Sequence, residues 1–385
     1  MPRPLRILFT GGRAPATLEW ARLCRLNGHS VWLAECMPWT ITSFSTAIEQ
    51  TLHVPSPRHR YTAFIQQLLV HIKTHKIDIL IPTCEEVFWI AKGKESLEAE
   101  CEVFTPALQY LRPMHSKIDF LDIANAARVC APQTHRICTR EDLRKHMNNC
   151  RNLVFKPEFS RFGTQVLMRP SADRISRIQP TPSHPWAAQE CIDGQQFATW
   201  SLCREGRVLA HSAYPIEHRA GVGSAVFFRA IQHPAIFQCV QRIVAHTKWT
   251  GQIAFDFIVP EHGAPHVLEC NPRLTSGIHL FRNQPEITDL FDGDIDRPLY
   301  HPKTVAIQLC LPMILYALPH ALIQRNLRQW WLDFSEASDA IWCRQDPWPT
   351  IGQWLSVLAL LLRALRLRTD PLSASTHDIE WNGDS

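Results

Sequence analysis

IAFDFIV at 253–259 and VLECNPR at 267–273, separated by the turn-prone PEHGAP, decide the reading of this chain. Each reads as a β-strand, and Pro260, Gly263 and Pro265 between them predict a hairpin. Side chains alternate with period two, so Asp256 shares a face with Ala254 and Ile258, and Glu269 shares one with Asn271. Paired in register, the hairpin gathers two carboxylates and an amide oxygen on one side. Such hard oxygens suit Mg2+, which keeps several waters and shares its shell with substrate phosphates. An aspartate between Ala254-Phe255 and Phe257-Ile258 is costly to bury without such a partner. The two strands alone are equally compatible with an ordinary amphipathic hairpin whose acids face water.

Composition narrows the surroundings. A chain of 385 residues can form two or three domains with a sizeable core. The net charge of +4 is spread out, and no Lys/Arg block with interleaved aromatics offers a nucleic-acid surface. The thirteen cysteines are scattered singly with no C-x-x-C pair, as expected of reduced thiols in a cytoplasmic protein. No H-E-x-x-H pairing occurs. RILFTGG at the start reads as a strand and a glycine turn, so no signal peptide is expected. Val305 to Ile323 is interrupted by Pro312, Pro319 and His320, and Trp354 to Leu362 is short and runs into Arg363, Arg366 and Arg368. No transmembrane span is expected, while peripheral membrane contact through 350–368 stays open.

Residues 5–10, 29–35, 77–83 and 101–105 read as strands alternating with helices at 16–26 and 61–75. That alternation predicts an α/β doubly wound domain over 1–114, with a ligand near the strand ends at Gly11-Gly12 and Thr83-Cys84-Glu85-Glu86. Gly11-Gly12 lacks the third glycine of a dinucleotide fingerprint, and a structural turn is the better reading. Residues 115–290 read as α+β, with strands at LVFKPEF (153–159) and WAAQECIDG and a hairpin turning at Glu205-Gly206. From 291 to 385 the chain reads as mostly helical, rich in Trp and Leu, with a polar tail. Core packing is the default expectation for Trp330, Trp331, Trp342, Trp348 and Trp354.

Lys156 stands among apolar residues in VFKP, so it either snorkels to solvent or meets an anion. Ser160-Arg161-Phe162-Gly163-Thr164 follows as a turn able to fold backbone N–H groups over phosphates, although taken alone a plain hairpin turn is the better reading. In order, Lys117, Lys156, this turn, Gln189-Glu190-Cys191-Ile192, Asp256 and Glu269-Cys270-Asn271-Pro272-Arg273 resemble the ATP-grasp superfamily of carboxylate–amine ligases. The resemblance runs from residue 1 to about 285, including the α/β domain that precedes the ATP-grasp pair of subdomains. Its most specific stretch is D-F-x(11)-E-C-N-P-R.

The resemblance implies ATP and Mg2+, or Mn2+ in its place. It places Lys117, Lys156, Ser160, Gly163 and Thr164 on the phosphates, and backbone groups of Glu190 and Ile192 on the adenine edge. Gln196 stands where the family often has a ribose-binding glutamate. Asp256, Glu269 and Asn271 take the metal, and Arg273 the transferring phosphate. Arg229, in AVFFRAIQHP, is a second catalytic candidate that reads equally as a surface arginine. The implied chemistry is attack of a carboxylate on the γ-phosphoryl group, then displacement of phosphate from the acyl phosphate by an amine. Small-molecule substrates are implied, and a homodimer is compatible with related enzymes. Two alternatives stay open: a bicarbonate-activating or carbamoyl-phosphate-type enzyme, and a nucleotide-binding regulatory module without turnover.

Overall fold

Ile7, Leu8 and Phe9 are fully buried because the strand Arg6–Thr10 is the centre of a five-stranded parallel sheet. Its order is Gln50–His53, Ser30–Glu35, Arg6–Thr10, Ile79–Ile81 and Glu102–Val103. Leu8 and Leu80 point into one apolar cluster, and Ile7, Phe9, Ile79 and Ile81 into another. Both faces are thus covered, which is why these strands read as unbroken apolar runs. The edge strand Gln50–His53 was not anticipated, since only Leu52 of its four residues is buried. The computed structural model describes residues 3–383 apart from 162, 164 and 222.

Two four-stranded sheets follow. Thr134–Ile137, Trp186–Glu190, Leu153–Pro157 and Leu167–Met168 form the first, in that order. Arg207–Pro215, Gln195–Arg204, Gly251–Val259 and His266–Asn271 form the second, all antiparallel. The predicted turn at Glu205-Gly206 has φ of 51° and 80°, the left-handed pair that matches strand twist in a two-residue hairpin.

The C-terminal region is helical as expected, but it departs from the expectation in four particulars. Ala306–Gln308 pairs with Phe227–Arg229 and with Ser338–Asp339, so this region adds strands to the middle of the protein. Of the five tryptophans expected in the core only Trp330 is buried. The apolar run at 354–362 belongs to a helix, Trp348–Leu367, that continues through Arg363 and Arg366 and is long and apolar enough to cross a membrane by length and composition. The polar tail is docked rather than free. Trp381 is fully buried against Phe88 and Phe159, and the Trp89 indole donates to Ile379 O at 2.9 Å.

A candidate nucleotide and metal site between the sheets

The carboxyl ends of the parallel strands and the facing surfaces of the two antiparallel sheets enclose a cleft of about 430 Å3. Asp256 stands directly opposite Glu269, and Ala254 opposite Asn271. Between the Asp256 and Phe257 pairs the register slips by one residue, leaving Leu268 as the extra residue of a bulge. The bulge turns both Leu268 and Glu269 towards the cleft, while Val267 stays in the core. The hairpin therefore does bring Asp256, Glu269 and Asn271 to one side, and all three line the cavity.

Two ammonium groups meet this acid pair. Lys117 Nζ lies 3.8 Å and Lys156 Nζ 3.9 Å from Glu269 Oε2, and both lysines are buried. Burial alone would raise the Glu269 carboxyl, but Lys117 and Lys156 outweigh it and hold it down at about 2. Burial, and then the charge of Glu269, push Asp256 well above the usual carboxylate range. Desolvation lowers Lys156 to about 8 despite Glu269, with Lys117 adding to the effect. Lys117 also donates to Ser160 O at 2.8 Å, tying the start of its helix to the glycine turn.

Arg273 extends the line of the hairpin, as the strand period predicts. Its Nε donates to Glu85 Oε1 at 2.9 Å, and its Nη2 lies 3.3 Å from Asn271 Oδ1. The other Glu85 oxygen accepts Arg161 Nε at 2.8 Å, so one buried carboxylate orients two guanidinium groups. Against the cost of burial, Arg161 and Arg273 keep Glu85 well below the ordinary carboxylate range. Arg161 also reaches Glu380 at 2.7 Å and Trp381 O at 2.6 Å, so the docked tail holds the glycine turn.

The remaining candidates distribute as follows. Ser160 and Gly163 line the cleft, Gly163 with φ of 66°, and Thr164 lies outside the described residues. Glu190 and Ile192 edge the cavity. The Glu190 and Cys191 amides donate to Gln133 O and Asn152 O, and among the described residues no acceptor meets the Ile192 N–H. Gln196 lines the cleft with its amide oxygen accepting from Arg219. Arg229 is not brought to the cavity. It lies in an ion cluster with Asp333 at 2.7 Å, Glu336 at 2.6 Å and Glu217 at 3.5 Å, which uses its fork for packing of the C-terminal helices.

Sequence reasoning missed Glu85 as an orienting group, and Arg219 and Tyr214 as lining residues. Only Glu85 carried a signal, being in the TCEE segment at the end of a parallel strand. The same segment explains Gly11: at φ of 73°, a Cβ there would come within 2.7 Å of Thr83 Oγ1. Arg13, just beyond, pairs with Glu35 and Asp378, which ties the tail to the end of the second parallel strand beside this turn.

Among the described residues no group of three or more His, Cys, Asp or Glu side chains gathers to hold a metal. The donor set here is sparser: two carboxylates and one amide oxygen. It suits a hard divalent cation that brings waters and phosphate oxygens of its own, rather than a transition metal in a closed protein cage. Burial first, and then the Glu269 carboxylate directly opposite, drive Asp256 towards its protonated form.

No protein-family model matches the sequence, and no curated protein sequence matches it. Solved structures do share its fold. An L-amino acid ligase from Bacillus licheniformis is 16% identical with a TM-score of 0.59, over 73% of this chain and 71% of that one. N5-carboxyaminoimidazole ribonucleotide synthetase (purK), in complex with ADP, is 11% identical with a TM-score of 0.64, over 85% and 86%. The biotin carboxylase domain of Hydrogenobacter thermophilus 2-oxoglutarate carboxylase, a dimer with MgADP, ADP and bicarbonate, is 11% identical with a TM-score of 0.59, over 79% and 73%. What these share with the present chain is the ATP-grasp fold, carried behind a parallel α/β domain.

Proposed function

We propose that this protein is an ATP-dependent ligase that activates a carboxylate as an acyl phosphate and couples it to an amine, in small-molecule or peptide biosynthesis. The observation that carries this reading is the convergence of Asp256, Glu269 and Asn271 with Lys117, Lys156 and Arg273 on one cavity. The nucleotide complexes among the structural relatives support it.

In this reading Lys117 and Lys156 hold the phosphates, and Ile192 N–H with the Glu190 carbonyl meets the adenine edge. Asp256, Glu269 and Asn271 would hold Mg2+ or Mn2+, which neutralises charge on the β- and γ-phosphates when bound. A carboxylate oxygen of the acid substrate attacks the γ-phosphorus and the bond to the ADP oxygen breaks. An amine then attacks the acyl carbon, loses its proton, and phosphate departs with the C–O bond electrons. Arg273, preset by Glu85 and Asn271, offers a guanidinium fork to the phosphate or carboxylate, a geometry that lysine would not reproduce. Catalysis rests on positioning and charge rather than on a covalent nucleophile. Thirteen unbridged cysteines support a reducing, cytoplasmic setting.

ADP release by the purified protein, assayed against pools of carboxylic acids with and without amines, tests the proposal. Release that needs an acid and rises with an amine supports it. Release driven by bicarbonate alone moves the assignment to a carboxylase-type reaction. No acid-dependent release under any condition overturns it.

A further inference from the structure

The helix Trp348–Leu367 is seated on the protein by one narrow face. Gly352 lies against the Phe44 ring, where an added Cβ would come within 2.2 Å, and Ser356 Oγ donates to Trp39 O. Pro349, Gly352 and Ala364 are its buried residues, and Arg363 pairs with Asp378 of the docked tail. On the opposite side Ile351, Trp354, Leu358, Leu361 and Leu365 follow one another at steps of three and four, which is one continuous stripe on a helix. Every one of them is exposed, Leu365 by 75%. A second apolar helical stretch, Cys310–Ile323, exposes Ile314, Leu315, Leu322 and Ile323. The buried cluster of Leu18, Ile41 and Ile341, with Leu309 against it, joins the base of that stretch to the segment carrying the first helix. Five exposed apolar side chains in one stripe, with four more on the second stretch, exceed the singly scattered leucines of an ordinary protein exterior.

Charge decides what covers it. The acids of the region are largely engaged: Asp333 and Glu336 by Arg229, Asp346 by Arg22, Asp339 by the backbone of Cys310 and Trp342, and Asp370 by the backbone and hydroxyl of Ser373. Arg325, Arg328, Arg344, Arg366 and Arg368 are exposed and, among the described residues, have no ion-pair partner. Trp331, Trp342, Trp348 and Trp354 are each more than half exposed. Indole rings and arginines around leucine-rich helices are the composition of a surface lying at the headgroup level of a membrane. A second copy of this chain would bring these five unpaired arginines against the same set, with Asp370, already bonded to Ser373, as the one exposed acid of the described region outside an ion pair to answer them.

We propose that the C-terminal helices form a docking surface for an anionic lipid bilayer, with the stripe Ile351–Leu365 entering the interface and Arg366 and Arg368 meeting lipid phosphates. The helix lies along the bilayer and does not cross it, because its opposite face is fixed to residues 39–44. The segment leaving this helix continues as the tail that ends on Arg161, so the bilayer and the cleft are served by one stretch of chain.

Flotation of the full chain with vesicles of phosphatidylcholine alone, and with equimolar phosphatidylcholine and phosphatidylserine, tests this. The protein is expected to float with the anionic vesicles and to remain behind with the neutral ones. Leu358→Glu with Leu365→Glu should abolish flotation, and Arg366→Glu with Arg368→Glu should weaken it at least about ten-fold. All four positions are exposed, and unchanged circular dichroism confirms that the variants fold. Recovery of the parent protein in the vesicle-free fraction overturns the proposal, as does flotation that survives the leucine substitutions. Light scattering that shows a dimer dissolved by those same substitutions, with no vesicle binding, assigns the surface to a second copy instead.

Discussion

Replacing Trp381 by alanine asks whether the last residues are part of the core or an ornament on it. The indole is fully buried, with its ring centroid 4.9 Å from Phe88 in a near-parallel stack and 5.3 Å from Phe159 edge-on. Truncating a buried tryptophan removes its transfer energy and leaves a cavity, together about 3–5 kcal/mol. Little collapse can offset this, because Phe88 and His115 are held by the helices that carry them. Trp381→Phe keeps one ring in the stack and should lose less than half as much. The change also reaches the cleft. Arg161 donates hydrogen bonds to Trp381 O, Glu380 and Asn382, and an unseated tail withdraws all three acceptors from the glycine turn. Urea unfolding followed by circular dichroism reads the stability, and calorimetry with ADP reads the binding. Trp381→Ala should unfold at markedly lower urea and bind ADP more weakly, with Trp381→Phe between it and the parent. An unchanged midpoint together with unchanged affinity would refute the claim that the tail completes both core and site.

Three further outcomes follow from the same geometry. Glu269→Gln removes the charge that both lysines face and should lower acid-dependent ADP release by about a hundred-fold or more while the far-ultraviolet spectrum stays the same; full activity would contradict the metal assignment. Lys156→Ala should weaken nucleotide binding by about 1.5–3 kcal/mol in calorimetry, the range of a hydrogen bond to a charged group. His115 is buried with neither ring nitrogen hydrogen-bonded, and burial lowers it to about 3, against about 6.5 when unfolded. Below pH 6.5 the unfolded chain takes up a proton that the folded one refuses, so stability falls as pH drops from about 6.5 towards 3, by up to about 1.4 kcal/mol per unit for this group. His115→Phe, which can keep the contact with Phe88, should make the urea midpoint less steep with pH between 7 and 5; parallel curves for parent and variant would exclude this origin.

What the sequence revealed and what it hid divide along a physical line. The acid hairpin was legible because alternation and turn residues are local, and Asp256 opposite Glu269 follows from them. The Glu205-Gly206 turn was legible for the same reason. Glu85 was visible only as a residue at a strand end, since its bond to Arg273 spans 188 positions and no local pattern encodes it. Arg229 looked as suited to a phosphate as Arg273 did. Its partner Asp333 lies 104 positions away, and that distant acid is what removes it from the cleft. The tail misled because SASTHDIEWNGDS has a solvent-facing composition, yet Asp378 and Glu380 meet buried or half-buried arginines and carry Trp381 in with them. The C-terminal tryptophans misled in the opposite sense. Hydrophobicity predicts burial but does not say whether the protein or another phase supplies it.

The electrostatics of the cleft bear on how its guests bind. Lys117, Lys156, Arg161 and Arg273 converge there, while Glu85 and Glu269 are the carboxyls held in their ionised form. Glu85 is shared between the two arginines, which leaves Glu269 alone to answer both lysines. That shortage is one reason Lys156 is held down at about 8, after desolvation. A polyphosphate entering beside the lysines would favour their charged form, and a divalent cation beside Asp256 would favour that carboxyl's ionised form. Each guest would thereby stabilise the residues that face the other. If the cleft takes a nucleotide and its metal as proposed, the two would bind cooperatively, as a consequence of seating two acids and two lysines within a few ångströms of one another.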